Sequence, residues 1–355
     1  MNRILLTALT LLACGMYPAR AWNALGHRAV AEIVWRQMNA SQRQSASALL
    51  RRHPHYEIFL TVDIPTGVDR DEWVFLTAAV WPDWVRPARA GQPVKPRSVT
   101  KYNAFPHGIG YAYIRASDRN CASLGKFVIP QPDAAAVLSN SLVTLRDHSA
   151  SAHDRAVSLC WGLHLYGDLH QPLHVANLCT PAKPNGTSLG GKMIVLGEDG
   201  QRIDLHSYWD RLLGTDFSYQ AVATAADELQ GLYSLPGSGG RASPRDQGST
   251  ETQALRGSRE RLPSQSEEAE AALPELWKHR SIPAWVQEGY QRAATLAYAE
   301  GRIDFADADE LAAGKVSGSA VPHLKPEYVR DSHRMAQRCL ALAAFRLGDA
   351  LKGAW

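Results

Sequence analysis

The segment from His164 to His174 carries the residue types best suited to chemistry in this chain. His164 and Asp168 are four positions apart, and residues at that spacing lie on one face of an α-helix. Pro172 cannot continue a helix without loss of a backbone hydrogen bond, so we expect a kink or helix end that turns His174 back toward the same face. Imidazole and carboxylate are ligands that zinc favours. The spacing therefore predicts a metal-binding cluster.

A second pair with the same spacing, His206 and Asp210, follows farther along the chain. A solvent-exposed helix face would use Lys and Glu as readily, so the repeated His and Asp pairs favour a metal site over an ordinary surface. His170 falls on a different helix face from Asp168, and we expect it to pack or to orient a ligand rather than to bind metal. The chain is interpreted first as a metalloenzyme.

Residues 1–21 have the layout of a secretory signal. A positive charge precedes an apolar run from Ile4 to Ala13, and Ala19-Arg20-Ala21 forms a small-x-small cleavage sequence. The run is too short to span a bilayer. Cleavage would make Trp22 the first residue of a mature chain that we expect to be secreted or periplasmic. A lipoprotein signal with Cys14 as the modified residue is the alternative.

The charge and the cysteines narrow the class of protein. Removal of residues 1–21 removes two arginines and no acid, so the formal net charge falls from +3 to +1. A near-neutral chain lacks the broad positive field of a tight nucleic-acid binder, although an enzyme can grip phosphate through metal ions. The four remaining cysteines lack CxxC spacing and allow two disulfides in an oxidising compartment, with three possible connectivities. They are Cys121, Cys160, Cys179 and Cys339.

Helical periodicity dominates the organisation of the chain. It recurs in residues 27–38, 134–147, 154–170, 273–299 and 327–352. The one predicted strand pair joins Met193–Leu196 to Gln201–Leu205 through a Gly-Glu-Asp-Gly turn. Residues 235–269, rich in Gly, Ser, Arg, Glu and Gln, predict a disordered insertion. We expect one mainly α domain over residues 22–355, with a small β-hairpin beside the metal site.

Further motifs extend the pattern toward the N-terminus. Trp22 is followed by Gly26-His27, then by Trp81-Pro82-Asp83, and then by the two His and Asp pairs. In order and spacing these motifs resemble the S1/P1 nuclease family. The resemblance implies a secreted, mainly helical enzyme with three zinc ions that cleaves single-stranded DNA and RNA and removes 3′-phosphates from nucleotides.

The resemblance also implies a ligand set for the first two ions. Trp22, through a free α-amino group and its carbonyl oxygen, would bind the first zinc together with His27. Asp168, the predicted catalytic residue, would bridge this ion to a second zinc held by Asp83 and His164. A terminal amine can ligate only after the preceding peptide is removed. Signal cleavage would then be part of site assembly.

The same resemblance assigns the third zinc to His174, His206 and Asp210. The chain departs from the family near the second zinc, because Ala112 stands where the family has a further ligand His. His107 is the candidate replacement, since a His in a Gly-rich turn can reach the site but has no fixed spacing. Without His107 as a ligand, two ions rather than three would be expected.

Two substrate contacts are also predicted. Tyr113 would stack on an unpaired base, which a duplex hides. Lys192 replaces the Asn of the family's Gly-Gly-Asn, and Arg115 stands where the family has an acidic residue. The substrate contacts are therefore expected to differ from those of the family.

The leading hypothesis is a monomeric zinc phosphodiesterase for single-stranded nucleic acid or 3′-nucleotides, with no stable protein partner and no transmembrane segment. Zinc lowers the pKa of bound water and neutralises charge on phosphoryl oxygens, so a zinc-bound hydroxide would attack phosphorus. A zinc phospholipase C is one alternative, but that family ends in HxxxE and has a longer step from its first Trp to its first His. A non-catalytic zinc-binding protein is the other, suggested by Ala112 and Arg115.

Overall fold

The computed structural model describes most of the chain from Trp22 onward. The described ranges are 22–88, 93–103, 107–109, 111–114 (backbone only), 132–180, 186–233 and 273–355. The predicted signal segment with Cys14, the predicted insertion at 235–269, Arg115 and Cys121 lie outside these ranges. Within them, no helix combines the length and the apolar character that a membrane crossing requires.

Helices make up most of the described chain, so the predicted mainly α class is confirmed. The N-terminal half contains α1 (Ala24–Gln37), α2 (Ala40–Leu50), a π-helical turn (Tyr56–Leu60), α3 (Arg70–Ala78), α4 (Trp81–Trp84), α5 (Arg97–Thr100), α6 (Ala134–Arg146), α7 (Ala152–Asp168) and α8 (Pro172–Val175). The C-terminal half contains α9 (Leu205–Asp210), α10 (Tyr219–Leu232), α11 (Glu275–Lys278), α12 (Ile282–Arg292), a π-helical turn (Ala293–Ala297), α13 (Ala308–Ala312) and α14 (Pro326–Leu351), with 3-10 turns at Ala299–Gly301 and Gly318–Ala320.

The described strands form two small sheets. β1 (Tyr111–Ile114) pairs in parallel with β2 (Ala176–Cys179), so that residue 111 lies opposite residue 176. β3 (Met193–Leu196) lies between β4 (Arg202–Asp204) and β5 (Ala306–Asp307) in an antiparallel sheet. The predicted hairpin is confirmed, but its second strand is shorter than predicted. Asp204 ends β4 because its side chain accepts a hydrogen bond from the backbone N–H of Ser207 and caps α9.

α7 lies at the centre of the fold. Every residue from Leu159 to Asp168 is buried, and a helix buried on all sides must be surrounded by other elements. It packs against α6 on one side and against α1 and α14 on others. The end of α7 that carries His164 and Asp168 is therefore held in the core rather than on the surface.

Two glycines allow close packing of His27 against the end of α7 and of Trp22 against α1. A β-carbon at Gly167 would lie 2.9 Å from Nδ1 of His27, and one at Gly26 would lie 3.0 Å from Cβ of Trp22. Side chains at these positions would force the neighbouring rings to move. The crossing therefore places His27 directly beside the end of α7.

The cysteine pairing allowed by the sequence is not formed among the described residues. Cys160 and Cys339 are buried free thiols. Cys179 is also buried, and its Sγ lies 3.5 Å from the carbonyl oxygen of Asn177. Burial raises the pKa of the Cys160 thiol. These cysteines act as small core side chains in this structure.

Candidate metal centre

The chain changes direction after α7, at the position that the sequence predicted. α7 ends at Asp168, and Pro172 begins the short helix α8. Gln171 caps α8, because its side-chain oxygen accepts a hydrogen bond from the N–H of Leu173 at 2.5 Å. His174, on α8, returns to the site, with Nδ1 4.0 Å from Oδ2 of Asp168. The predicted break at Pro172 is thus confirmed.

A first group of potential ligands joins α1 to α7. Nε2 of His27 lies 3.3 Å from Oδ1 of Asp168, and Nε2 of His164 lies 3.1 Å from Oδ2 of the same carboxylate. The two imidazole rings are stacked with their centroids 3.9 Å apart. All three side chains are fully buried. One carboxylate therefore faces two imidazoles, with one oxygen toward each.

A second group shares His164 with the first. Nδ1 of His107 lies 2.8 Å from Nε2 of His164 and 3.8 Å from Oδ1 of Asp83. It also lies 3.3 Å from Oδ2 of Asp168. The structure thus places the candidate ligand His107 beside His164 and Asp83.

A third group lies on the other side of the turn. Nε2 of His174 and Nε2 of His206 are 3.0 Å apart, and Nε2 of His206 is 3.6 Å from Oδ2 of Asp210. In each of the three groups, the potential ligand atoms lie within 4.8 Å of one another. The predicted ligand side chains therefore converge on three adjacent positions.

Trp22 is anchored next to these groups. Its indole N–H donates a hydrogen bond to the carbonyl oxygen of Gly167 at 3.0 Å. The backbone N–H of Asn23 donates to the carbonyl oxygen of Asp210 at 3.1 Å. Together these bonds tie residue 22 to the end of α7 and the next residue to the end of α9.

Backbone carbonyls orient three of the imidazoles. Nδ1 of His164 lies 2.8 Å from the carbonyl oxygen of Ala79, and Nδ1 of His174 lies 2.7 Å from that of His107. Nδ1 of His206 lies 2.7 Å from the carbonyl oxygen of Leu189. Since a carbonyl only accepts, each Nδ1 carries the proton and each Nε2 lone pair points toward its group. This is the usual arrangement around histidine metal ligands.

The acceptor for His206 lies in a left-handed turn. Ser188, Leu189 and Gly190 have φ of 54°, 57° and 88°. Side-chain-bearing residues pay about 1–2 kcal/mol each for this conformation. Backbone strain of this kind is found most often at functional sites, where it holds a group in the required position.

Several buried polar atoms in the groups lack a hydrogen-bond partner of suitable geometry. They are Nδ1 and Nε2 of His27, Oδ1 of Asp83, both carboxylate oxygens of Asp168 and Oδ2 of Asp210. Unpaired polar atoms are costly inside a protein. A cation among these nitrogen and oxygen atoms would remove that cost, and the donor set matches zinc. The residues present therefore fit the metal that the sequence predicted.

At the first two groups the electrostatics favour anionic carboxylates, and burial lowers the pKa of His27. Against the effect of burial, Asp168 and Asp83 raise the pKa of His164. Burial alone would raise the pKa of Asp168, but the charges of His164 and His174 and the close nitrogen of His107 hold that pKa well below its usual range. Burial and the nearby Arg86 lower the pKa of His107 to about 3. At the third group, burial raises the pKa of Asp210 well above its usual range, against the hydrogen bond from Gln171. That carboxylate would be charged only beside a cation.

Two residues at the site were missed from the sequence. Nε of Arg86 lies 3.1 Å from Oδ1 of Asp83 and 3.2 Å from Nε2 of His107, and its side chain is 22% exposed. Nε2 of Gln171 donates to Oδ1 of Asp210 at 2.8 Å. The position of Arg86, three residues after Asp83, was the only available signal.

The two predicted substrate contacts stand differently. Lys192 is exposed and forms an ion pair with Asp309, with Nζ 2.8 Å from Oδ2. Tyr113 belongs to β1, but its side chain lies outside the described part of the chain. Neither residue is in the three groups.

Comparison with known proteins supports the assignment that the motifs suggest. The sequence model described as S1/P1 Nuclease matches residues 22–355. Nuclease S1 of Aspergillus oryzae (strain ATCC 42149 / RIB 40) is 25% identical over 213 residues, which cover 59% of this chain and 61% of that protein. The chain thus spans less than two thirds of this relative. With the family match extending from Trp22 through all three groups, the chain belongs to the S1/P1 nuclease family.

Proposed function

We propose that this chain is a zinc-dependent phosphodiesterase that hydrolyses single-stranded nucleic acid and 3′-nucleotides. The observation that carries the proposal is the convergence of three buried His and Asp groups, each with ligand atoms within 4.8 Å of one another. Family membership supports nucleic acid as the substrate class. A closely spaced set of divalent ions suits in-line displacement at phosphorus.

The proposal assigns one ion to each group. Trp22, His27 and Asp168 would hold the first ion, and Asp83, His107 and His164 would hold the second, with Asp168 between them. His174, His206 and Asp210 would hold the third. The 2.8 Å approach of His107 to His164 supports His107 as the replacement ligand. Three ions are therefore proposed rather than two.

Bound zinc supplies Lewis acidity and an activated water for attack on phosphorus. Backbone carbonyls hold the Nδ1 protons of His164, His174 and His206, so that each Nε2 would face its ion. Arg86, at the solvent edge beside Asp83, presents a guanidinium that can donate to a phosphoryl oxygen. Arg86 is thus the side chain proposed to meet the substrate phosphate first.

We also propose that residues 1–21 are a secretory signal and that the mature chain is secreted or periplasmic. The start of the family match at Trp22 supports this boundary. N-terminal sequencing of the exported protein tests it. A free Trp22 is the expected result, and a lipid-modified Cys14 would exclude the terminal amine as a ligand.

Hydrolysis of three substrates tests the proposed function: single-stranded DNA, 3′-AMP and a phosphatidylcholine analogue. We expect hydrolysis of DNA and 3′-AMP that is abolished by a chelator and restored by zinc. Hydrolysis of the lipid analogue alone would favour the phospholipase alternative. A zinc-loaded protein that hydrolyses none of them would favour the non-catalytic alternative.

A further inference from the structure

A buried arginine lies directly behind the turn that carries the proposed ligands. Arg346, on α14, is 5% exposed. Its Nη1 lies 2.7 Å from Nε2 of His170, between Asp168 and Gln171 in the chain. Its two Nη atoms also donate to the Glu288 carboxylate at 3.0 and 2.8 Å. The guanidinium therefore joins α12, α14 and the ligand turn.

The contact between Arg346 and His170 has a defined direction. Nδ1 of His170 lies 2.7 Å from the carbonyl oxygen of Tyr166, so Nδ1 carries the proton. Nε2 is then the acceptor, and Arg346 is the donor. Both ring nitrogens of His170 are thereby used, and the ring has one favoured orientation. His170 is therefore held both by the carbonyl oxygen of Tyr166 and by Arg346, and it fixes the backbone immediately after Asp168.

The hydrogen bonds continue from this point to the third group. Gln171, the next residue, accepts from the N–H of Leu173 and donates to Oδ1 of Asp210 at 2.8 Å. Hydrogen bonds therefore join Glu288 to Arg346 and Arg346 to His170. The backbone continues to Gln171, which is bonded to Asp210. Of these residues, only Asp210 belongs to the three ligand groups.

An ion pair that served only to join helices would not need His170. The carboxylate of Glu288, together with the carbonyl oxygens of Glu275 and His279 at 3.1 and 3.2 Å, already gives the guanidinium several acceptors. Burial of a charged pair is by itself weak support for stability. The additional bond is directed at the turn that separates Asp168 from His174.

We propose that Arg346 is a positioning residue for the metal centre, acting through its hydrogen bond to His170 to fix the turn between Asp168 and His174. The inference rests on the proposed zinc centre. It assigns Arg346 no contact with metal or substrate. Its expected effect is on metal affinity, since residues that orient ligands typically change that affinity by about 10–100-fold.

The test compares Arg346→Met with a matched control on the same helix, Arg338→Met. Arg338 forms an ion pair with Glu275, with Nη2 2.8 Å from Oε2. Competition with a chromophoric chelator gives the zinc affinity, and thermal unfolding is measured with and without zinc. We expect zinc binding to weaken at least about tenfold in Arg346→Met and to stay unchanged in Arg338→Met. The stabilisation by zinc should shrink only in the former.

Two further variants keep the test decisive. His170→Phe removes the acceptor but keeps a ring, and it should weaken zinc binding as much as Arg346→Met. The double variant should be no weaker than either single variant, because both remove the same bond. If Arg346→Met does not fold, His170→Phe and Arg346→Lys carry the comparison.

The outcomes separate this inference from the proposed function. Unchanged zinc affinity in Arg346→Met or His170→Phe, with normal binding by the wild type, would overturn the positioning role alone. Equal destabilisation of the metal-free and zinc-loaded forms would also overturn it, because that is the signature of a purely structural ion pair. A wild-type protein that binds no zinc would overturn the centre itself.

Discussion

The two groups that share His164 are built from different structural material. In the first, His27 and Asp168 come from the long helices α1 and α7 and are fully buried. In the second, Asp83 lies on a four-residue helix and His107 lies at a bend outside the helices and strands, with side chains 12% and 9% exposed. Long packed helices fix side chains before any metal arrives, whereas partly exposed residues outside them are held by fewer contacts. We therefore expect the first ion to bind tightly and the second to be the most easily lost.

Loss of the shared carboxylate should have the largest effect. Asp168→Asn removes the charge that both groups use, so we expect loss of two ions and a fall of nuclease activity to background. Elemental analysis and DNA hydrolysis measure the two effects. Asp154→Asn, on the exposed start of α7, is the matched control. Retention of either ion in Asp168→Asn would show that the groups do not depend on one carboxylate.

Removal of His107 should affect only the weaker group. We expect His107→Ala to keep two ions and to lose on the order of a hundredfold in activity, since one ion contributes several kcal/mol of charge stabilisation. Metal content after dialysis and the activity of the same sample give the comparison. His153→Ala, an exposed histidine, serves as the control. Loss of all metal in His107→Ala would contradict the expectation that His107 serves the second ion alone.

A variant at Gln171 tests whether the third group depends on the hydrogen bond that Gln171 donates to Asp210. Gln171→Met keeps the buried volume but removes the amide that donates to Asp210. We expect about tenfold weaker binding of a single ion, with the first two unaffected. Stepwise zinc titration resolves the sites, and Gln220→Met on the surface of α10 is the control. A loss spread evenly over all sites would mean that the turn, rather than Asp210 alone, has moved.

Lys192 should have the smallest effect, because it lies outside all three groups. Its exposed pair with Asp309 contributes less than about 1 kcal/mol to stability. If Lys192 contacts substrate phosphate, Lys192→Ala raises KM for single-stranded DNA a few-fold and leaves kcat and metal content unchanged. Asp309→Asn breaks the same pair and keeps the cation. Equal KM values in the two variants would show that Lys192 forms a surface ion pair and does not contact the substrate.

Local spacing was enough to predict the helical half of the centre. The four-residue steps from His164 to Asp168 and from His206 to Asp210 survive folding because helix geometry depends only on near neighbours. The break at Pro172 was predictable for the same reason. His107 could be named as a candidate but not placed, since the Gly-rich segment around it imposes no periodicity.

The partners of the supporting residues could not be predicted in this way. His170 was expected to pack or to orient a ligand, but its partner Arg346 is 176 positions away in the chain, and local spacing carries no information about that contact. The parallel pairing of β1 with β2 likewise joins segments distant in sequence. Arg86 was missed because an arginine three residues after an aspartate is common on any helix surface. Tertiary packing decided each of these contacts.

The left-handed turn that supports His206 limits how this chain can change over evolutionary time. Ser188 and Leu189 both occupy backbone conformations that glycine and asparagine adopt more easily. Leu189 must keep this conformation for its carbonyl to face His206, so β-branched residues are excluded there. A glycine at either position would relieve the backbone strain. Amino-acid substitution at Ser188 and Leu189 is therefore limited to a few residue types, even though neither side chain is among the proposed ligands.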